Sequence, residues 1–230
     1  MSESDKNIEV KFNNNFTIRF ISPKDKDSVL NILLEEFLIT EPLNRGTGIT
    51  KDQINKIFQY FINDNFVMNN SFGAYNKEKE LVGIRLVNLT KREDDNNKSI
   101  TEMNERDNNE ENVDISPDII ITNILDEAKI GIWKLLPPTI NTLVRSEIVC
   151  VARKWQRQGI ASKLETEGNK ILINKYPEIQ GIIAEATSVA NQHLLSKQGY
   201  KIYRKVYFKK YNIPIGYDGS DHVETMIKLF

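Results

Sequence analysis

Apolar residues recur along this chain with two different periods, and the switches between them mark out its elements. Over residues 25–37, Val29, Leu30, Leu33, Leu34 and Phe37 fall on one stripe of the helical repeat, which predicts an amphipathic helix. Ser22-Pro23 suits its start, because proline lacks only an N–H that the first turn would leave unpaired anyway. A second stripe, Ile54, Ile57, Phe58 and Phe61, predicts a helix over residues 50–62 with Thr50 as its cap. Apolar runs at 16–21, 71–75, 81–88, 146–151, 181–186, 202–208 and 222–230 have the length of strands. The polar Asn76-Lys77-Glu78-Lys79 joins two of them as a hairpin. Helical spacing returns after Ser116-Pro117, with Ile120, Ile124, Leu125, Ala128 and Ile132 on one face until Pro137-Pro138, and again over 163–175. Gly199-Tyr200 reads as the end of a further helix, the glycine taking the left-handed cap position. This order predicts an α/β (α+β) fold in which a mixed central β-sheet of about seven strands is flanked by helices on both faces.

Two stretches depart from the pattern. Residues 1–15 are read as a flexible N-terminal arm, and residues 16–230 as a single domain interrupted at 92–115 by an acidic, asparagine-rich insertion. That insertion has too few apolar residues to offset the entropy of ordering it, so disorder is expected, with a mobile flap over a substrate mouth as the functional alternative. The rest, in a chain of 230 residues with 40% hydrophobic content, suffices for a real core. With 31 basic against 32 acidic residues the net charge is −1, which gives no electrostatic footprint for nucleic acid. The single cysteine, Cys150, excludes an internal disulfide, and the opening MSESDKNIEV holds no apolar stretch for a signal or membrane anchor. A cytoplasmic protein without a membrane partner, monomeric, is the expectation.

The chemistry concentrates at Gln156-Arg157-Gln158-Gly159-Ile160-Ala161, between a strand-like and a helix-like run. A glycine there lets backbone amides approach a ligand, the helix start adds unpaired N–H donors, and Arg157 adds a full charge, so the segment is a seat for a diphosphate. The spacing fits neither G-x-G-x-x-G nor the P-loop, which need more glycines. It matches [Q/R]-x-x-G-x-[G/A], and so resembles the coenzyme A pyrophosphate loop of the GNAT superfamily of acyl-CoA N-acyltransferases. The strand-like 181–186, Asn191 and Gly199-Tyr200 follow in that superfamily's order. The resemblance implies a GNAT fold with acetyl-CoA as co-substrate and no metal. Gln156, Arg157, Gln158, Gly159, Ile160, Ala161 and Asn191 would contact the cofactor, and the backbone of Val149 and Val151 would meet the pantetheine and the acetyl oxygen. One amide aimed at a developing oxyanion is worth about 3 kcal/mol.

A small amine must lose a proton before it attacks a thioester. Phe37-Leu38-Ile39-Thr40-Glu41-Pro42-Leu43-Asn44 resembles the Glu-Pro-Leu junction of insect-type arylalkylamine N-acetyltransferases, which implies Glu41 as the base; by composition alone Glu41 is a helix-terminal acid before proline. Those enzymes carry paired serines where this chain has Thr187 and Asn191, so Thr187, or Ser188 beside it, would protonate the leaving thiolate. The tyrosine that many superfamily members use instead is replaced by Leu195, and Tyr203 is a weak substitute. Phe37, Tyr60, Phe61, Phe66 and Phe72 are candidate pocket aromatics, although at helical spacing aromatics are more often core. Cys150 in a strand reads as an inert buried thiol, and His193 and His222 neither neighbour it nor form metal-ligand spacing with it, so neither a metal site nor a covalent acyl-enzyme is expected. The resemblance implies dopamine, serotonin, tyramine and octopamine as acceptors. Polyamines or a protein amine remain the alternative acceptors, and a non-catalytic acyl-CoA-binding module the alternative class.

Overall fold

The computed structural model of the protein describes residues 8–93 and 115–230. The expected acidic insertion lies mostly outside the described residues. One sheet of eight strands runs through the molecule in the order β1-β2-β3-β4-β5-β6-β8-β7. The strands are β1 (Glu9–Phe12), β2 (Phe16–Phe20), β3 (Phe72–Tyr75), β4 (Leu81–Lys91), β5 (Thr142–Val151), β6 (Gly181–Ala186), β7 (Lys201–Tyr207) and β8 (His222–Leu229). Every neighbouring pair is antiparallel except β5 with β6.

The eighth strand, beside the about seven expected, is β1, which lies within the residues read as an N-terminal arm. Glu9-Val10-Lys11-Phe12 carries too few apolar residues to announce a strand by itself. It pairs because Asn13 and Asn14 take the left-handed conformation in a tight turn onto β2, where Phe12 stacks on Phe16 at 6.4 Å.

The first predicted helix is built in pieces: α1 (Lys26–Ile32), a π-helical turn over Leu33–Phe37, and α2 (Leu38–Thr40). It stops at Glu41, which is extended at ψ 128° because Pro42 follows. Pro42 then opens α3 (Pro42–Thr47), a helix too short to show a period and read from sequence as loop. Helix α4 (Lys51–Asn63) begins at the expected Thr50, whose hydroxyl accepts from the Gln53 amide. The short α5 (Asn65–Asn70) was not legible either. Helix α6 (Pro117–Lys129) ends well before Pro137, because Gly131 turns left-handed and starts a 3₁₀ turn, Ile132–Leu135; Ile132 therefore belongs to a separate small cluster with Trp133 and Leu143. Helices α7 (Ile160–Lys175) and α8 (Val189–Lys197) complete the set, and β7 ends at Tyr207 because Phe208–Tyr211 form a 3₁₀ turn.

The helices divide between the two faces of the sheet. Val29 of α1, Ile54 and Phe58 of α4 and Ile124 and Ala128 of α6 share one core with Ile84, Leu86, Ile148 and Cys150. Leu164 and Leu172 of α7 and Leu195 of α8 share the other with Ile18, Phe72, Val144 and Met226. No helix among the described residues is long and apolar enough to cross a membrane.

Two features at the middle of the sheet open the functional site. Strands β5 and β6 pair only from Val144 to Ser146 against Ile182 to Ala184, and beyond that they are no longer laddered. In the same region the β4–β5 register slips: Leu86 faces Ile148 and Val87 faces Ser146, leaving Glu147 without a partner. This β-bulge exchanges the faces of β5, since Val144 and Ser146 point to α7 whereas Ile148 and Cys150 point to α4. Glu147 stands at the exchange.

Candidate active site

A cleft of about 650 Å³ opens at the split between β5 and β6 and runs from the 156–161 loop to the α2–α3 junction. At one end stands the N-terminus of α7. Arg157 and Gly159 both take positive φ, 63° and 80°, so the loop turns sharply into the helix, and no side chain caps its first turn. Unpaired N–H donors and the positive end of the helix dipole therefore face the cleft. A side chain at Gly159 would need the strained left-handed backbone and would stand 3.3 Å from the Phe12 ring, which makes β1 a support of the loop. Gln156 donates from Nε2 to the Val151 carbonyl at 2.9 Å and ties the loop to β5. The backbone of Arg153, just upstream, donates to Glu36 of the π-helical turn, and its guanidinium meets the same carboxylate at 2.8 Å.

At the other end Glu41 caps α3: its Oε2 accepts from the Asn44 amide at 2.6 Å. Its Oε1 has no hydrogen-bond partner among the described residues, although the side chain is only 8% exposed. Burial raises the carboxyl above the ordinary glutamate range; the Asn44 amide and the Thr187 hydroxyl oppose that rise, and the charge of Asp218 adds to it. Asp218 sits in the 212–220 loop, which closes over this end. It accepts from the Val189 amide at 3.0 Å and from the Ser220 hydroxyl at 2.6 Å, while the Tyr217 hydroxyl donates to the Thr40 carbonyl.

Most of the residues expected from sequence meet here. Glu41, Val149, Val151, Gln156, Arg157, Gly159, Ile160, Ala161, Thr187, Ser188 and Asn191 all line the one cleft. Gln158 does not line it; it is exposed beside the loop. The Ile160 side chain turns into the core, which leaves its backbone for a ligand. Ser188 caps α8, its oxygen accepting from the Asn191 amide at 3.3 Å. Of the candidate aromatics, Phe37 and Phe61 line the cleft, whereas Tyr60 is 65% exposed, Phe66 packs on Tyr176 and Phe72 is core against Phe20. Phe58 joins the lining, two positions before the expected Tyr60-Phe61 pair on the same helix. Tyr203 packs in the small Trp133 cluster and is not a lining residue. Cys150 borders the cleft with its thiol pushed up to about 12 by burial, which leaves it protonated and unreactive.

Sequence reading missed Glu147, Glu185, Asp126 and Asp218, which also line the cleft. A strand acid is an ordinary surface residue until a bulge turns it inward, and no short-range signal marks that. It also missed a charge network beneath the site. Arg85 of β4 and Glu165 of α7, both fully buried, meet at 2.7 Å; Ser146, Asn169 and the Tyr200 hydroxyl engage both Glu165 oxygens, while Arg85 Nη1 has no hydrogen-bond partner among the described residues. Tyr200 of the Gly-Tyr pair is therefore turned inward to hold Glu165.

With a mixed sheet split at one parallel pair and an uncapped helix start beside the split, the chain has the GNAT fold, which it shares with the solved structures that it matches. Arylalkylamine N-acetyltransferase 2 from Aedes aegypti matches it with a TM-score of 0.76 over 94% of this chain and 99% of the other, at 19% identity. A Drosophila melanogaster polyamine N-acetyltransferase that catalyses formation of N-acetylagmatine matches at 0.72 over 94% and 100%, with 10% identity. Arabidopsis thaliana NAA60, solved with acetyl-CoA, matches at 0.52 over 94% and 99%, with 14% identity. No family model and no curated protein matches the chain.

Proposed function

We propose that the protein is an acetyl-CoA-dependent N-acetyltransferase that acetylates the primary amine of a small acceptor, with arylalkylamines such as tyramine and dopamine in its range. One observation carries this reading: a single cleft joins an uncapped helix N-terminus to a buried carboxylate that keeps one oxygen unpaired. A domain that only bound acyl-CoA would have no use for the second.

The residues at the α7 end suit acetyl-CoA. Arg157 and the first-turn amides would hold its diphosphate, on a turn whose left-handed Gly159 a side chain would strain and press against Phe12. Acetyl-CoA brings the acyl group as a thioester. The Val149 and Val151 backbone borders the split where that group would lie, so an amide there supports the carbonyl oxygen as it gains charge. Glu41 takes the proton of the acceptor ammonium and frees the nitrogen lone pair; its raised pKa makes it a stronger base than an exposed glutamate. Thr187, whose hydroxyl lies against Glu41 and which lines the cleft, would pass a proton to the departing thiolate and regain one from the protonated Glu41. Phe37, Phe58 and Phe61 offer an apolar wall to an aromatic acceptor.

The test is release of free coenzyme A from acetyl-CoA by the purified protein across dopamine, tyramine, serotonin, spermidine and a Ser-initiated peptide. Turnover with the aromatic amines supports the full reading, and turnover with spermidine or peptide alone moves the acceptor. Tight acetyl-CoA binding with no turnover on any amine overturns it in favour of a binding module.

A further inference from the structure

The acceptor half of the cleft carries more negative charge than the transfer of one amine requires. Its lining holds the carboxylates of Glu41, Asp126, Glu147, Glu185 and Asp218 but only two cations, Lys129 and Arg157, and Arg157 stands at the diphosphate end. Three of the five carboxylates already have partners. Glu185 is bridged by Arg145 at 2.6 Å, Asp126 lies 3.9 Å from Lys129, and Asp218 accepts from Val189 and Ser220. Glu147 makes neither a hydrogen bond nor a salt bridge among the described residues, and Glu41 keeps Oε1 unpaired at 8% exposure. Two carboxylates with acceptor capacity to spare therefore look into one cavity, from the bulge of β5 and from the α2–α3 junction, with Ile148, Leu125 and Phe37 on the wall around them.

We propose that Glu147 anchors a second cation on the acceptor, so that the cleft prefers an aliphatic diamine, whose one amine gives its proton to Glu41 while the other stays charged against Glu147. This rests on the reading of the cleft as an acetyltransferase acceptor site. Glu147 stands at the bulge, without a partner in the β4–β5 register, and lines the cleft. The apolar wall suits a methylene spacer, and a carboxylate at the far end costs least when a cation neutralises it.

The charged groups that act on Glu147 are Arg145 on its own strand, Glu185 on β6 and Lys129 on α6, with Asp126 of α6 also in the lining. Burial, with Glu185 adding to it and Arg145 and Lys129 opposing, pushes Glu147 up to about 6. It is charged at neutral pH, and the preference for a second cation fades as acid protonates it.

The deciding measurement is steady-state coenzyme A release with a series of terminal diamines of increasing length set against n-alkylamines of equal length, on the wild type and on Glu147→Gln. The wild type should favour the best diamine by roughly tenfold in kcat/KM, carried by KM. Glu147→Gln should shrink that preference several-fold, as should lowering the pH below about 6. Lys129→Ala, which removes a competing cation, should enlarge it. Equal use of diamine and monoamine by the wild type overturns the proposal. So does a kcat loss in Glu147→Gln that is the same for both amines, since Glu147 would then be accepting the reacting proton. If no amine turns over, the acetyltransferase reading fails separately; calorimetric titration of diaminobutane against butylamine into protein holding acetyl-CoA then decides, and equal affinities overturn the anchor.

Discussion

Glu165 and Glu41 are both carboxylates more than nine-tenths buried, 0% and 8% exposed, on opposite sides of the same sheet, and their surroundings differ in kind. Glu165 is matched on both oxygens: Arg85 and Ser146 reach Oε2, and the second Arg85 nitrogen, Asn169 and Tyr200 reach Oε1. Glu41 is matched on one oxygen, by the Asn44 amide, and left open on the other. A buried charge with every lone pair engaged holds β4, β5 and α7 in one geometry. One left half-satisfied is costly to the fold and available to a ligand. The first kind stands beneath the cleft and the second lines it.

Breaking the satisfied side should cost the most. Glu165→Leu strands the Arg85 guanidinium in the core and should remove about 3–5 kcal/mol of stability in urea unfolding. The double variant Arg85→Met/Glu165→Leu should recover most of it, because no unpaired charge remains. A single variant as stable as the wild type would mean that the network contributes nothing.

On the open side the loss should appear in rate instead. Glu41→Gln should lower the amine-saturated rate about a hundredfold, or ~2.7 kcal/mol, with acetyl-CoA affinity nearly unchanged. Its thermal stability should equal or exceed that of the wild type, since an amide keeps a cap acceptor and carries no buried charge. Equal losses of rate and acetyl-CoA affinity would make Glu41 a structural cap.

Gly159→Glu imposes a left-handed backbone at about 1–2 kcal/mol and puts negative charge in the diphosphate seat, so acetyl-CoA should bind more than about tenfold more weakly by calorimetry. Retained affinity would remove the loop from the site.

The smallest effect is in pH. Glu41 has a folded pKa raised above its unfolded value, so its contribution to stability is fully present below the unfolded value and is lost as pH rises through the folded one. Activity should rise through that same window as the base ionises. Denaturation midpoints and kcat followed across pH should show the two trends crossing in the wild type, and Glu41→Gln should flatten both. A wild-type rate that does not fall on the acid side would argue against Glu41 as the base.

The loop proposed to seat a diphosphate was legible as a turn into a helix because its parts are contiguous: Gln156 to Ala161 are neighbours in sequence and remain neighbours in space. Glu41 was legible by resemblance alone, since composition also reads it as a helix-terminal acid, and in the structure it does cap α3. Glu147 was not legible. Its exposure to the cleft depends on where β4 slips against β5, and the register between two strands so distant in sequence is settled by the packing of Ile84 and Leu86 on one face and Val144 on the other. The aromatic list failed for a related reason. Helical spacing puts Phe58 and Phe61 on one side of α4, where both line the cleft, but only the neighbouring elements decide that Tyr60 is exposed and that Phe66 and Phe72 pack elsewhere.

By itself the amino-acid sequence determined the order of the longer helices and of the strands from β2 onward, the caps at Thr50 and Gly199, and the loop at Gly159, because each follows from interactions among residues a few positions apart. Tertiary structure alone decided that the sheet has an eighth strand, that Arg85, Glu165 and Tyr200 form one network, and that Glu41 and Glu147 share a cavity. These depend on contacts between distant segments, where burial multiplies the energy of each charge and no local pattern records which partner it will find.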